Sequence, residues 1–252
     1  MVYITGDIHG EVNIILRQIE SRGITKDDVI VILGDAGLNY YNTEGEWING
    51  REMPLQALRE YERKAILNNA GIPVLCIHGN HEERPFNIPT YHEKEWHGGV
   101  VYVEEQYPNL LFAKDGEIYN FEGKKAVVIG GAYSVDKEYR LRRGMKWFKD
   151  EQPSKEIKEY VEQQLEKAGW KIDAVLSHTC PQKYVPVEAF LPSIDQSKVD
   201  HSTEEWLDKI ENKLKYKEWY CGHWHLNKYM NMYTEEGKKK RFVFLFHDSV
   251  QI

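Results

Sequence analysis

Five short polar segments each close a run of strand-forming residues, and this recurrence limits the fold more than any other feature. They are Gly6-Asp7-Ile8-His9-Gly10, Gly34-Asp35, Gly79-Asn80-His81-Glu82, Ser177-His178 and Gly222-His223-Trp224-His225. In open α/β sheets functional groups gather where strands end and loops begin. Converging strand ends would therefore bring acid, amide and imidazole donors to one rim. Taken singly, each segment reads as a turn or a hydrogen-bonded core histidine. Five in order, each behind a strand, point to a metal-supported hydrolytic site.

The spacing of apolar residues supplies the frame. Val2–Thr5 and Asp28–Leu33 are expected strands, separated by an amphipathic helix over Glu11–Arg22 that places Ile14, Ile15 and Ile19 together. A second helix is predicted over Pro54–Asn69, stopped by Gly71 and Pro73. The run Pro73–Ile77 is the third strand, and this alternation argues for parallel neighbours in an α/β sheet. Val100–Val103, Leu110–Ala113, Glu117–Phe121 and Lys125–Ile129 predict an antiparallel meander. A helix after Pro153 ends near Gly169, and a strand at Ile172–Leu176 leads into His178.

Pro181, Pro186 and Pro192 mark Cys180–Asp200 as irregular. Ser202 and Glu205 then have capping-box spacing for a helix to about Leu214. Glu218–Cys221 is the last strand that delivers donors, and Lys228–Tyr233 with Phe242–Phe246 predicts a hairpin around Glu235-Glu236-Gly237. Without a repeat or a linker, residues 1–252 are expected to form a single domain.

The net charge of −7 gives no support to non-specific polyanion binding, so nucleic acid is not the favoured partner. It leaves room for a phosphorylated substrate, because bound divalent ions supply attraction locally. Cys76, Cys180 and Cys221 form no Cys-x-x-Cys pair and suit a reducing cytoplasm better than a disulfide framework. They are read as small buried residues. The opening strand leaves no room for a signal peptide, and no apolar run approaches the ~20 residues of a membrane span. A soluble, cytoplasmic chain without membrane contact is expected.

Carboxylate, amide and imidazole donors without thiolates suit Mn²⁺ first, with Fe or Zn²⁺ as alternatives. A carboxylate can bridge two such ions. The ordered set Gly-Asp-x-His-Gly, Gly-Asp, Gly-Asn-His-Glu, a lone His and Gly-His-x-His resembles the signature of the calcineurin-like metallophosphoesterases. That resemblance implies a four-layer αββα sandwich of two mixed sheets with a dinuclear centre at its edge. It further implies that Asp7, His9, Asp35 and His225 hold one ion, with Asp35 bridging to a second held by Asn80, His178 and His223. His81 would be the catalytic imidazole. A metal-bridging hydroxide would attack phosphorus in line while His81 protonates the leaving oxygen. Glu82 would orient neighbouring groups.

Phosphoprotein phosphatases of that superfamily extend the second motif to Gly-Asp-x-x-Asp-Arg-Gly. Here Leu38 stands in place of the second Asp and no Arg follows, so Asn39 is the candidate for orienting His81. The segment Gly130–Lys137, running on to Arg140, is similar to a variant in bacterial and phage-associated members. Lys137, Arg140, Arg142, Arg143, Lys146 and Lys149 form either a cationic lip or a solvated loop. Arg140 is the first candidate for a phosphate contact and Arg84 the second. The run Lys238–Arg241 reads as a charged turn that blunts a sheet edge.

A phosphomonoesterase acting on a phosphorylated metabolite or phosphoprotein is the preferred reading. A phosphodiesterase or nuclease with the same centre is the first alternative. A non-catalytic interaction module on the same fold is the second.

Overall fold

A computed structural model describes residues 1–41, 55–192, 194–233, 237 and 239–252. Its elements run in the order β1 (Val2–Thr5), α1 (Asn13–Arg22), β2 (Val29–Ile32), α2 (Leu55–Asn69), β3 (Val74–Cys76), β4 (Tyr91–Trp96), β5 (Gly99–Glu104) and β6 (Leu110–Ala113). There follow β7 (Ile118–Phe121), β8 (Lys124–Ile129), α3 (Lys137–Arg143), α4 (Lys155–Lys167), β9 (Ala174–Ser177), α5 (Ser202–Lys213), β10 (Glu218–Cys221), β11 (Lys228–Tyr233), β12 (Lys239–Phe244) and β13 (Ser249–Gln251).

Two mixed sheets result. The first has the order β13-β1-β2-β3-β6-β5-β4 and the second β11-β12-β10-β9-β8-β7. In the first, β1, β2, β3 and β6 are parallel neighbours; in the second, β8, β9, β10 and β12 are. Side chains alternate along each strand with period two. Val29 and Val31 therefore face the second sheet, while Ile30 and Ile32 face Ile14 and Ile15 of α1 and Leu67 of α2. In the second sheet Ala174 and Leu176 face inward, and Val175 packs with Val161, Leu165, Trp206 and Ile210 of α4 and α5. Both faces of both sheets are covered, which gives the four-layer αββα sandwich.

Four local expectations need correction. The meander expected over residues 100–130 is divided: β5 pairs with β6 in the first sheet, whereas β7 pairs with β8 in the second. Asp115 fixes this crossing by accepting Gly130 N at 2.6 Å and Arg84 Nη1 at 2.7 Å. The cationic stretch begins not as a loop but as helix α3, which buries none of its residues. The capping box does not form, because Asp200 Oδ1 accepts the Ser202 amide at 2.9 Å and His201 is the boundary residue. Finally, β4 and β13 extend the first sheet at its two edges.

The tail hairpin is present as antiparallel β11 and β12, with Gly237 in a left-handed conformation (φ 74°). Pro54, Glu235, Glu236 and Lys238 lie outside the described residues. Cys76, Cys180 and Cys221 are buried free thiols. Among the described residues no helix is long and apolar enough to cross a membrane.

Candidate metal centre

The parallel strands β1, β2 and β3 of the first sheet, and β9 and β10 of the second, all end at one edge of the sandwich. Their loops meet there across the interlayer core. Two glycines permit the approach. A Cβ on Gly34 would come within 2.1 Å of His178 Nδ1, and one on Gly222 within 2.2 Å of Asp7 Oδ1. No L side chain fits either position, so each sheet's loop lies directly against a donor of the other.

Backbone conformation reinforces the point. His9, Asp35, His223 and His225 all have φ between 45° and 66°. Bulky residues rarely adopt this left-handed region, and such outliers concentrate at functional sites.

At the floor, Asp7 and Asp35 are almost wholly buried, and each has one oxygen fixed by an amide. His223 N donates to Asp7 Oδ1 at 2.8 Å, and His81 N to Asp35 Oδ1 at 2.9 Å. Burial penalises both charges. The surrounding imidazoles outweigh it and hold both carboxyls below their usual value, with His225 and His178 nearest in effect at Asp7, and His178, His81 and His9 at Asp35.

The remaining oxygens point inward. Asp7 Oδ2 is buried without a hydrogen-bond donor, 3.4 Å from His225 Nε2 and 3.9 Å from His9 Nε2. Asp35 reaches both sides, with Oδ2 3.9 Å from His9 Nδ1 and Oδ1 3.9 Å from His178 Nε2. Two compact donor groups follow, Asp7–His9–His225 and Asp7–Asp35–His178.

His178 Nδ1 donates to the Leu33 carbonyl at 2.7 Å, which leaves a lone pair on Nε2. That lone pair faces Asn80 Oδ1, also an acceptor, at 2.8 Å. His9 Nε2 and His225 Nε2 stand 2.9 Å apart. Two ligands about 2.1 Å from one ion stand about 3 Å apart when they meet at a right angle. The opposed acceptors of His178 and Asn80, the close approach of His9 to His225 and an orphaned buried carboxylate oxygen between imidazoles fit divalent cations.

His223 packs against His178, the two rings 5.0 Å apart in an edge-on arrangement. His81 sits at the mouth, its Nε2 3.2 Å from Asn80 Nδ2, 3.5 Å from Arg140 Nη2 and 4.0 Å from Asp35 Oδ2. Burial, with the charge of Arg140, holds the His81 imidazolium below its usual pKa against the opposing pull of Asp35.

All seven expected metal ligands and His81 are thus brought together. Arg140 joins them, steadied by Asp136 Oδ2 at 2.8 Å. Arg84 does not. It is 2% exposed, with Nη1 on Asp115 at 2.7 Å and Nε on the Asp150 carbonyl at 2.8 Å. Asn39 likewise faces elsewhere, accepting from the Tyr91 hydroxyl at 2.8 Å. Glu82 accepts Gly79 N at 2.9 Å, and burial beside Asp35 pushes its carboxyl up to about 8.

One contributor had no sequence signal of its own. Ser134 Oγ receives Asn80 Nδ2 at 2.9 Å and so aims the amide oxygen at His178. Its amide is in turn bound by Glu151 Oε1 at 3.2 Å. Only its place in the Gly130–Lys137 segment could have drawn notice.

The model of the family described as calcineurin-like phosphoesterase matches residues 1–227. No curated protein matches the chain. Among solved structures, one is similar at 13% identity, covering 96% of this chain and 88% of its own, with a TM-score of 0.48. Phosphopantetheinyl hydrolase from Mycobacterium tuberculosis is similar at 10% identity, covering 97% and 89%, with a TM-score of 0.45. The matched span runs from the first strand-end segment through the last, and on that match the chain belongs to the calcineurin-like phosphoesterases, metal-dependent hydrolases of phosphoester bonds.

Proposed function

We propose that this chain is a phosphomonoesterase with two divalent ions, Mn²⁺ foremost, acting on a phosphorylated metabolite or phosphoprotein in the cytoplasm. Asp7, His9, Asp35 and His225 would hold one ion, and Asp35, Asn80, His178 and His223 the other. When bound, the ions supply Lewis acidity, lowering the pKa of water and screening the charge that grows on the phosphoryl oxygens.

The observation that carries this reading is the position of Asp35, with one carboxylate oxygen 3.9 Å from a His9 nitrogen and the other 3.9 Å from His178. The protein's own groups supply the remaining chemistry. Arg140 presents a guanidinium at the mouth, where its fork suits phosphate oxygens. A phosphate that draws Arg140 onto itself removes an N–H group from His81 Nε2. Nε2 is then free to take up a proton from solvent, a charge that Asp35 and Asp136 favour, and to pass it to the leaving oxygen. Ser134 holds Asn80, and the Leu33 carbonyl holds His178, so neither donor must reorganise.

The interlayer core runs from Val2 to Leu245, which supports a single catalytic domain. The buried unpaired thiols support a reducing compartment.

The test is Mn²⁺-dependent turnover of p-nitrophenyl phosphate against its bis-ester, for wild type and His81→Ala, with metal content measured on both. Monoester turnover that disappears in a variant with full metal content supports the reading. A wild type that turns over only the bis-ester assigns the centre to phosphodiesters. A fully loaded wild type inert towards both overturns it.

A further inference from the structure

A groove of about 350 Å³ opens beside the metal centre, between the turn that follows His9 and helix α2. Three arginines line it. Arg59 and Arg63 are one turn apart on α2 and share a face, and Arg17 reaches in from α1. Arg63 lies directly on the backbone of Gly10, where a Cβ would stand 2.5 Å from its Cζ. The guanidinium thus rests against the residue next to His9.

Among the described residues no ion pair is formed by any of the three, although Glu11 and Glu62 line the same groove. Acids outnumber bases in this chain, 40 to 33, so arginines gathered at one place are conspicuous. Like charges brought together repel unless an anion sits among them. The start of α1 adds to the field, since no side chain caps it and its first turn holds no acid.

We propose that Arg17, Arg59 and Arg63 form a subsite for a second phosphate of the substrate. The scissile phosphate would lie at the metal centre and the other in this groove, so the substrate is a compact molecule with two phosphates. The assignment rests on the phosphoesterase reading above and narrows it. The planar forks match phosphate oxygens, and the groove's volume suits one phosphate with a few further atoms rather than a strand.

The test has two arms on full-length protein. In the first, binding of inorganic phosphate to metal-free protein is measured by calorimetry at low salt. Arg17→Gln/Arg59→Gln, and separately Arg63→Gln, should weaken it about tenfold, while Arg140→Ala should leave this binding event in place. Arg17 and Arg59 are exposed, so a thermal melt is expected to match wild type.

In the second, Mn²⁺-loaded protein is given fructose 1,6-bisphosphate and fructose 6-phosphate. Wild type should prefer the bisphosphate about tenfold in kcat/KM, and the double variant should lose that preference. Phosphate binding unchanged in both groove variants, or a preference that survives them, overturns the subsite. If wild type hydrolyses neither sugar phosphate, the catalytic reading is at fault and the binding arm alone decides the subsite. A short phosphodiester strand that displaces phosphate more strongly than the bisphosphate overturns the assignment to a compact molecule.

Discussion

The floor of the cleft and its mouth are built from similar donors held in different ways. At the floor, Asp7, Asp35, Asn80 and His178 are at most 2% exposed, and each has a second contact that fixes it. At the mouth, the side chains of His81, His9 and His225 are 24%, 34% and 51% exposed. Arg140 reaches His81 from a helix with no buried residue. The difference separates two tasks. Preorganised buried donors can set metal affinity, because little ordering remains to be done when an ion arrives. Of the exposed groups, His9 and His225 would complete one ion's ligands, while His81 and Arg140 can adjust to a substrate and His81 can move a proton.

The contrast is broken most severely by changing the shared floor carboxylate. Asp35→Asn is expected to drop metal content from two ions towards one and to take turnover below detection, read by elemental analysis and phosphate release. His81→Ala tests the mouth. Turnover should fall by ~10²–10⁴ with metal content unchanged. If metals are lost as well, His81 belongs to the floor and the division fails.

How far the division could be read from sequence depends on where each signal resides. The gathering of Asp7, His9, Asp35, Asn80, His178, His223 and His225 was legible because each falls in a short segment that closes an apolar strand and opens on a glycine or serine. The layered fold was legible because a continuous apolar run such as Val29–Ile32, buried at every position, marks a strand covered on both faces. Helix α3 was not legible. Lys137–Arg143 has only Tyr139 and Leu141 as apolar residues, two positions apart and both exposed, so it carries no helical apolar stripe and its charges read as loop. Strand β4, with sequence YHEKEW, hides as an edge whose charges face solvent. Arg84 misled because its partner, Asp115, lies 31 positions away, and no local pattern reveals such a pairing.

Gly34→Ala sharpens the comparison from the backbone side. The added methyl would collide with the His178 ring, and the residue's φ of 101° is itself strained for alanine. A loss of about 1–3 kcal/mol in denaturant unfolding is expected, together with weaker metal retention. Arg140→Ala should raise KM for p-nitrophenyl phosphate about tenfold, as for a lost hydrogen bond to a charged group. Its melting temperature and metal content should stay at wild-type values.

The smallest effect concerns Asn39. Tyr91→Phe removes the hydroxyl that Asn39 Oδ1 accepts, so stability should fall by about 1 kcal/mol. Turnover is expected to hold, because among the described residues no hydrogen bond joins Asn39 to His81. A large loss of kcat in this variant would restore Asn39 to the catalytic unit.

The most direct measurement is anomalous diffraction from a crystal of the Mn²⁺-loaded protein. Two peaks about 3.5–4 Å apart are expected, one among Asp7, His9 and His225 and the other among Asn80, His178 and His223, with Asp35 touching both. A single peak, or peaks that leave Asp35 unbound, would contradict the account.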